Sequence, residues 1–222
     1  MQIDILTLFP GMFKGIFEES IIKRAKASKS IKINIHNLRD WSKDKHRKVD
    51  DKPYGGGPGM VMSCQPIFDA IEDIKTKKTK VVLLTPKGKT LNQAIAKNLA
   101  KNKHLILVCG HYEGIDERVR QRLIDEEISI GDYVLTGGEV PAMVLVDAVA
   151  RFIPGVLGHA DSNKDESFSS ELLEYPHYTR PAVYKGMKVP QVLVSGNHEK
   201  IQEWRKNEAR KITGQKRPDL LK

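Results

Sequence analysis

The chain has 222 residues, 40% of them hydrophobic, and a net charge of +9. That apolar content closes the core of one large domain, or of a medium domain with an appendage, and excludes wholesale disorder. No apolar run approaches membrane-spanning length, the N-terminus MQIDILTLFP lacks a basic leader region, and Cys64 and Cys109 share no metal-type spacing, so a reducing, cytoplasmic setting is expected with no membrane contact.

Taken in order, Ile3–Phe9 reads as a buried strand, and Met12, Phe13, Ile16, Phe17 and Ile21 recur at helical spacing. Ile31–Ile35 alternates with period two, as a strand with one wet face does. Residues 39–62, RDWSKDKHRKVDDKPYGGGPGMVM, form a long polar loop, and loops of that length inside compact domains are usually functional or mobile. The run GGGPG lacks the Lys-Ser/Thr of a Walker phosphate loop. No G-x-G-x-x-G occurs anywhere, which speaks against an ordinary dinucleotide-binding fold.

Gln65–Lys75 and Thr90–Lys101 read as amphipathic helices flanking a strand at 81–85, and Asp116–Ile124 as a third helix capped by its aspartate. Three apolar runs end in glycine- or proline-marked loops. Val81–Leu84 runs into Thr85-Pro86-Lys87-Gly88, and Leu105–Val108 into Cys109–Gly114. A strand end at Ile128 runs into GDYVLTGG before a helix that starts at Glu139. Short continuous apolar runs fit strands of a parallel sheet covered on both faces, and in open α/β sheets ligands sit beyond the carboxyl ends of such strands. His111-Tyr112-Glu113 matches half of a zinc deaminase signature, but the P-C-x-x-C partner is missing, so no metal ligands are assigned.

Ala142–Phe152 reads as a helix that Pro154-Gly155 ends, and HADSNKDESFSS at 159–170 as a mobile linker. From Glu171 onward the pattern is helical, with Pro176, Pro181 and Pro190 as punctuation. Asn197 is placed to cap a final helix with Ile201, Trp204 and Ile212 on one side. Residues 174–222 hold 11 Lys/Arg against 5 Asp/Glu, so this stretch carries six of the nine net charges. A basic face draws polyanions through counterion release.

GHYEG at 110–114, IGDYVLTGGE at 130–139 and RFIPGVLG at 151–158 resemble signatures of the bacterial tRNA (guanine-N1)-methyltransferases, members of the SPOUT superfamily. The likeness extends from KHRKVDDKPYGGGPGM at 45–60 to YPHYTRP at 175–181 and VLVSGNH at 192–198, nearly the whole chain in order. It implies an α/β fold, a mainly parallel sheet flanked by helices with a C-terminal trefoil knot, over residues 1–158. A flexible linker at 159–170 and a small, basic helical tRNA-binding domain at 171–222 follow from it. Knotted chains are rare exceptions to the rule against threading, and no periodicity argument finds one.

The implied reaction moves a methyl group from S-adenosylmethionine to N1 of guanosine 37, just 3′ of the anticodon of tRNA. The implied assembly is a homodimer whose sites take knot and cofactor from one chain and linker and C-terminal module from the other. Magnesium dependence is implied as well, with no ligand named. By the same resemblance the cofactor is held by Leu84, Thr85 and Pro86, by Gly110, Tyr112 and Glu113, and by Ile130, Gly131, Asp132, Tyr133, Val134, Leu135, Gly137, Gly138 and Pro141. His46, Arg47, Asp50 and Gly59 position the target guanosine, and Arg151 stabilises charge gathering at its O6. The general base belongs immediately before Ser167-Phe168, where the family carries Asp-Ser-Phe. This chain reads Asp165-Glu166-Ser167-Phe168, so the aligned carboxylate is Glu166, with Asp165 one residue earlier as the alternative. Two rivals are another RNA methyltransferase of the superfamily and a catalytically silent RNA-binding protein, which would need neither the linker carboxylate nor Arg151.

Overall fold

The sheet grows out of the unbroken apolar runs. Leu105–Val108 lies in β6 (His104–Cys109), every residue of which is buried, and such a strand is stable only when covered on both faces. The computed structural model describes residues 1–157, 166–168 and 172–221, in two compact units, Met1–Gly158 and His159–Lys222. In the first unit, β6 sits between β1 (Gln2–Thr7) and β5 (Thr79–Thr90), with β2 (Lys32–Asn37) outside β1 and β7 (Glu126–Ser129) outside β5. All four strand pairings are parallel.

The two-residue period of the strands divides the core. Ile3, Ile5, Val82, Leu84, Leu105 and Leu107 point to the face covered by α1 (Ser20–Ala27), α3 (Gln93–Leu99) and α5 (Glu139–Ala150). Leu6, Val81, Leu83, Ile106 and Val108 point to the face covered by α2 (Cys64–Ile74) and α4 (Glu117–Leu123). Side-chain caps fix two helix starts: Asn92 accepts the Ile95 N–H and Asp116 the Arg118 N–H. The edge strand β2 is half-buried, as its alternating sequence requires.

One charge is buried in β1. Asp4 is 1% exposed, and its carboxylate accepts from Gln2 Nε2 at 2.7 Å and Asn34 Nδ2 at 2.8 Å. His36 and His104 each bring Nε2 to within 2.7 Å of it. Burial alone pushes such a carboxyl up, but the hydrogen bonds from His36, Gln2, Asn34 and His104 outweigh it and hold Asp4 well below the usual range.

Two expectations fail. Met12–Phe17 is not a helix. Pro10–Phe13 makes a 3₁₀ turn, Gly15 takes φ +95°, and the α-helix starts only at Ser20. Phe13 and Phe17 still reach the core, while Met12 and Ile16 are exposed. In the second unit the described residues 172–197 are not helical. They hold a hairpin of β8 (Val183–Tyr184) and β9 (Met187–Lys188) and a 3₁₀ turn at Gln191–Val194, and among the described residues of this unit only α6 (His198–Lys216) is a long helix. Pro176, Pro181 and Pro190 leave no room for a helix between them, because each removes a donor and keeps its predecessor extended.

Asn197 caps α6 as expected, accepting the Lys200 N–H at 3.1 Å. Within this unit Leu173 N–H donates to Thr213 Oγ1 at 2.9 Å, and Arg217 lies over the Phe168 ring at 5.8 Å. Most of the expected linker, including Asp165, lies outside the described residues. Among those described, no helix is long and apolar enough to cross a membrane.

Candidate functional site

Where β6, β5 and β7 end side by side, three loops enclose a cavity of about 290 Å³, near the lower limit for small-molecule sites. The first wall comes from a break in strand pairing. Leu84 faces Ile128, and so does Lys89, which leaves Thr85–Gly88 looped out of the ladder. Thr85, Pro86 and Lys87 line the cavity.

The second wall is Gly110–Gly114, with Tyr112 in the left-handed region at φ +57°. The third is Ile130–Gly138, which holds its own shape. Ser129 Oγ donates to Gly131 O at 2.9 Å, and Tyr133 N–H to the same oxygen at 3.0 Å.

The second and third walls are fastened to each other through Gly138. Its N–H donates to Gly110 O at 2.8 Å, and a Cβ there would stand 2.7 Å from Cys109 Cα and 2.9 Å from Gly110 N. Only glycine permits that approach. Next to it, Glu139 opens α5 as a buried carboxylate, accepting from Thr7 Oγ1 at 2.7 Å, and Thr7 Oγ1 accepts the Phe9 N–H at 2.9 Å. The end of β1 and the start of α5 are thereby pinned together beneath the cavity. Burial, with Glu139 nearby, pushes the Cys109 thiol well up, so it is a packing group and not a nucleophile.

The long loop reaches the same walls. β3 (Asp50–Asp51) pairs with β4 (Val61–Met62), and the returning strand is stitched to the second wall. Glu113 N–H donates to Met60 O at 3.0 Å, Met62 N–H to Gly114 O at 2.9 Å, and Asp116 N–H to Met62 O at 3.0 Å. Gly59, at φ +84°, packs so close to the Glu113 side chain that a Cβ would overlap it. The start of the loop, well before β3, is clamped by α2, where Gln65 Nε2 donates to Trp41 O at 2.8 Å and Lys43 Nζ pairs with Asp69 at 2.7 Å. Between these anchors the tip is free of the body, and Tyr54 is fully exposed.

Every residue expected to hold the cofactor lines this cavity except Asp132. Of the expected RNA-positioning residues, Gly59 abuts Glu113 at the rim, whereas His46, Arg47 and Asp50 stand in the loop and do not line the cavity. Arg151 is not brought there either. It caps the far end of α5, ten residues past Pro141, about 15 Å along a helix. Glu166 belongs to the second unit.

Sequence reasoning gave no site role to His111, Thr7 or Glu139. His111 packs its ring against Phe9 at 4.9 Å and Tyr112 at 5.1 Å, and its Nδ1 is buried with no hydrogen-bond partner among the described residues. Its place inside GHYEG was the available signal. Thr7 and Glu139 are 132 positions apart, and nothing local marks them as partners. Glycine-rich main chain and apolar side chains, with Lys87, Glu113, Glu117, Arg120 and Glu127 also in the lining, suit a nucleoside-sized ligand read by backbone N–H and C=O groups.

A family model described as tRNA (Guanine-1)-methyltransferase TrmD matches residues 1–222. A protein of Dictyoglomus turgidum named tRNA (guanine-N(1)-)-methyltransferase is 58% identical over 221 residues, covering 100% of this chain and 90% of that one. Proteins of the same name from Bacillus pumilus and Ruminiclostridium cellulolyticum are 54% and 58% identical over 224 residues, covering all of this chain and 92% and 96% of theirs.

Proposed function

This chain belongs to the tRNA (guanine-1)-methyltransferase family, and from that membership we propose that it transfers the methyl group of S-adenosylmethionine to N1 of guanosine 37 in tRNA. The observation that carries the reading is the main-chain-lined cavity at the ends of β5, β6 and β7, built from the loops that bear the family's motifs. S-adenosylmethionine fits that cavity chemically. Its adenine and ribose need main-chain donors and acceptors, and the glycine wall leaves that main chain bare.

When bound, S-adenosylmethionine supplies an electron-poor methyl group on a positively charged sulfur. The chain must then do three things. The loops at 84–86, 110–113 and 130–138 hold the ligand in one orientation and keep water out, which converts an encounter into an aligned attack. Glu166 removes the proton that neutral guanine carries on N1, freeing the lone pair that attacks. Arg151 faces the guanine O6, where negative charge gathers as that proton leaves, and stabilises it. His46, Arg47, Asp50 and the Gly59 turn hold the nucleotide over the cavity, with Glu113 at the junction.

The active form is a homodimer with shared sites, and two observations support it. Arg151 does not line the cavity of its own chain, and the first unit exposes Phe9, Met12 and Ile16 together with Val140 and Val144 of α5. Apolar groups of that size in one region mark an interaction surface. The knot lies in the Met1–Gly158 domain, residues 159–170 form the linker, and the remainder binds tRNA as a basic module in the cytoplasm. The family also implies Mg²⁺. Among the described residues no three carboxylate, His or Cys groups converge to hold a metal, and no step here passes through one.

Incubation with methyl-labelled S-adenosylmethionine and unmodified tRNA, followed by nucleoside mapping, tests the reading. Label on N1 of guanosine 37 is expected. Label on another base assigns a different RNA methyltransferase, and tRNA binding without label assigns a silent binder.

A further inference from the structure

The hairpin of the second unit is built to be covered and is not. Its two strands are two residues long, paired Val183 to Lys188 and Tyr184 to Met187, and closed by Val189 N–H donating to Ala182 O at 3.0 Å. Successive residues of a strand point to opposite faces, yet both faces are open: Val183 is 53% exposed, Tyr184 58% and Met187 66%. A bare two-stranded hairpin is marginal in water, and one that shows apolar groups on both sides calls for an occupant.

Charge says what kind. From Tyr175 to His198 the chain carries Arg180, Lys185 and Lys188 and no Asp or Glu at all. Lys185 stands over the Tyr184 ring, with Nζ 5.5 Å from its centroid. The turn adds an independent sign. Lys185 and Gly186 take φ +48° and +79°, a type I′ pair in which the first position favours Asn or Gly. A lysine held in that strained conformation keeps its ammonium at the hairpin tip at a cost in backbone energy.

We propose that the 182–189 hairpin is a contact element for unpaired nucleotides of the tRNA substrate, with Tyr184 stacking on a base and Lys185 and Lys188 meeting the neighbouring phosphates. Unpaired nucleotides are specified because a duplex hides its base faces, whereas loop bases stack on aromatic rings. The ligand is taken from the methyltransferase reading, while the hairpin's role is separate from the chemistry of the cavity.

The test uses the full chain with Tyr184→Ala, Tyr184→Phe and Lys185→Asn, an unmodified tRNA transcript, and a fully paired RNA duplex as control. Tyr184→Ala should weaken tRNA binding roughly 5- to 150-fold, the range for losing one stacked base. Tyr184→Phe should bind like the parent, and duplex affinity should not respond to either. Lys185→Asn relaxes the turn, so the protein stays folded, and the slope of log K against log salt should fall by about 0.7–0.9. S-adenosylmethionine affinity and the oligomeric state should stay at parental values. A folded Lys185→Asn variant with the parental salt slope overturns the proposal, as does Tyr184→Ala with parental tRNA affinity. Dissociation of the assembly by Tyr184→Ala would assign the hairpin to a second copy of the chain instead. Methylation by the parent is scored separately, so its absence removes the enzymatic reading and not the hairpin contact.

Discussion

A single methylene separates Glu166 from the aspartate that the family carries before Ser167-Phe168, about 1.5 Å of added reach on ordinary bond lengths. The two residues just after it are tied to the chain that follows. Ser167 Oγ accepts the Glu174 N–H at 3.0 Å, and Phe168 N–H donates to Leu172 O at 2.9 Å. We therefore expect Glu166→Gln to slow single-turnover methyl transfer by a factor on the order of 10² to 10⁴ and to remove the acidic limb of the pH–rate profile, with substrate binding little changed. Asp165→Asn should cost far less; the reverse result would place the base one residue earlier. Asp4 makes a prediction about stability. Its carboxyl is held below the ordinary aspartate value of about 3.9, so its contribution is complete above that pH and fades only as pH falls through the depressed value. Asp4→Asn should thus destabilise the fold at pH 7 by on the order of 2–3 kcal/mol, the scale of a charged hydrogen bond lost inside a protein. The gap from the parent, read by urea denaturation, should narrow well below pH 4.

At the scale of elements, legibility tracked how much each stretch depends on its own residues. Val81–Leu84 and Leu105–Val108 are unbroken and apolar because both faces are covered, so sequence alone marks them as inner strands. Met12–Phe17 has helical spacing without a helix because Gly15, at φ +95°, turns the chain while Phe13 and Phe17 still reach the core. The loop 130–138 was found from its glycines, but their purpose was only half visible. Gly138 was expected among the residues that hold the cofactor, and its neighbour across the gap is the main chain of Cys109 and Gly110. Adding a methyl there collides with backbone that cannot swing aside. Gly138→Ala should therefore lower stability by about 1–3 kcal/mol, the range for overpacking, and cofactor affinity would fall only as a consequence. Leu135, 41% exposed on the cavity wall, separates the two effects. Leu135→Ala should keep the parental melting temperature and weaken S-adenosylmethionine binding by roughly 1–2 kcal/mol of lost apolar contact, about 5- to 30-fold by calorimetry.

The whole molecule is where sequence reasoning had least to work with, because the arrangement of chains is set by surfaces that meet only after folding. Arg151 belongs to α5 as a helix-terminal residue, and nothing in RFIPGVLG says which cavity it serves. If each site joins the cavity of one chain to Glu166 of the other, two different crippled chains should rescue each other. Leu135→Arg fills the cavity wall with a cation and should abolish cofactor binding, and Glu166→Gln leaves the cavity intact without its base. Each homodimer should then be inactive. In the mixed dimer, purified through two different affinity tags, one site combines an intact cavity with an intact Glu166 while the other has lost both. A shared-site enzyme should therefore recover about half of the parental turnover per dimer, by the twofold symmetry of such an interface. If every site is built within one chain, each half of the mixed dimer lacks one essential part, and turnover should stay at the level of the inactive homodimers.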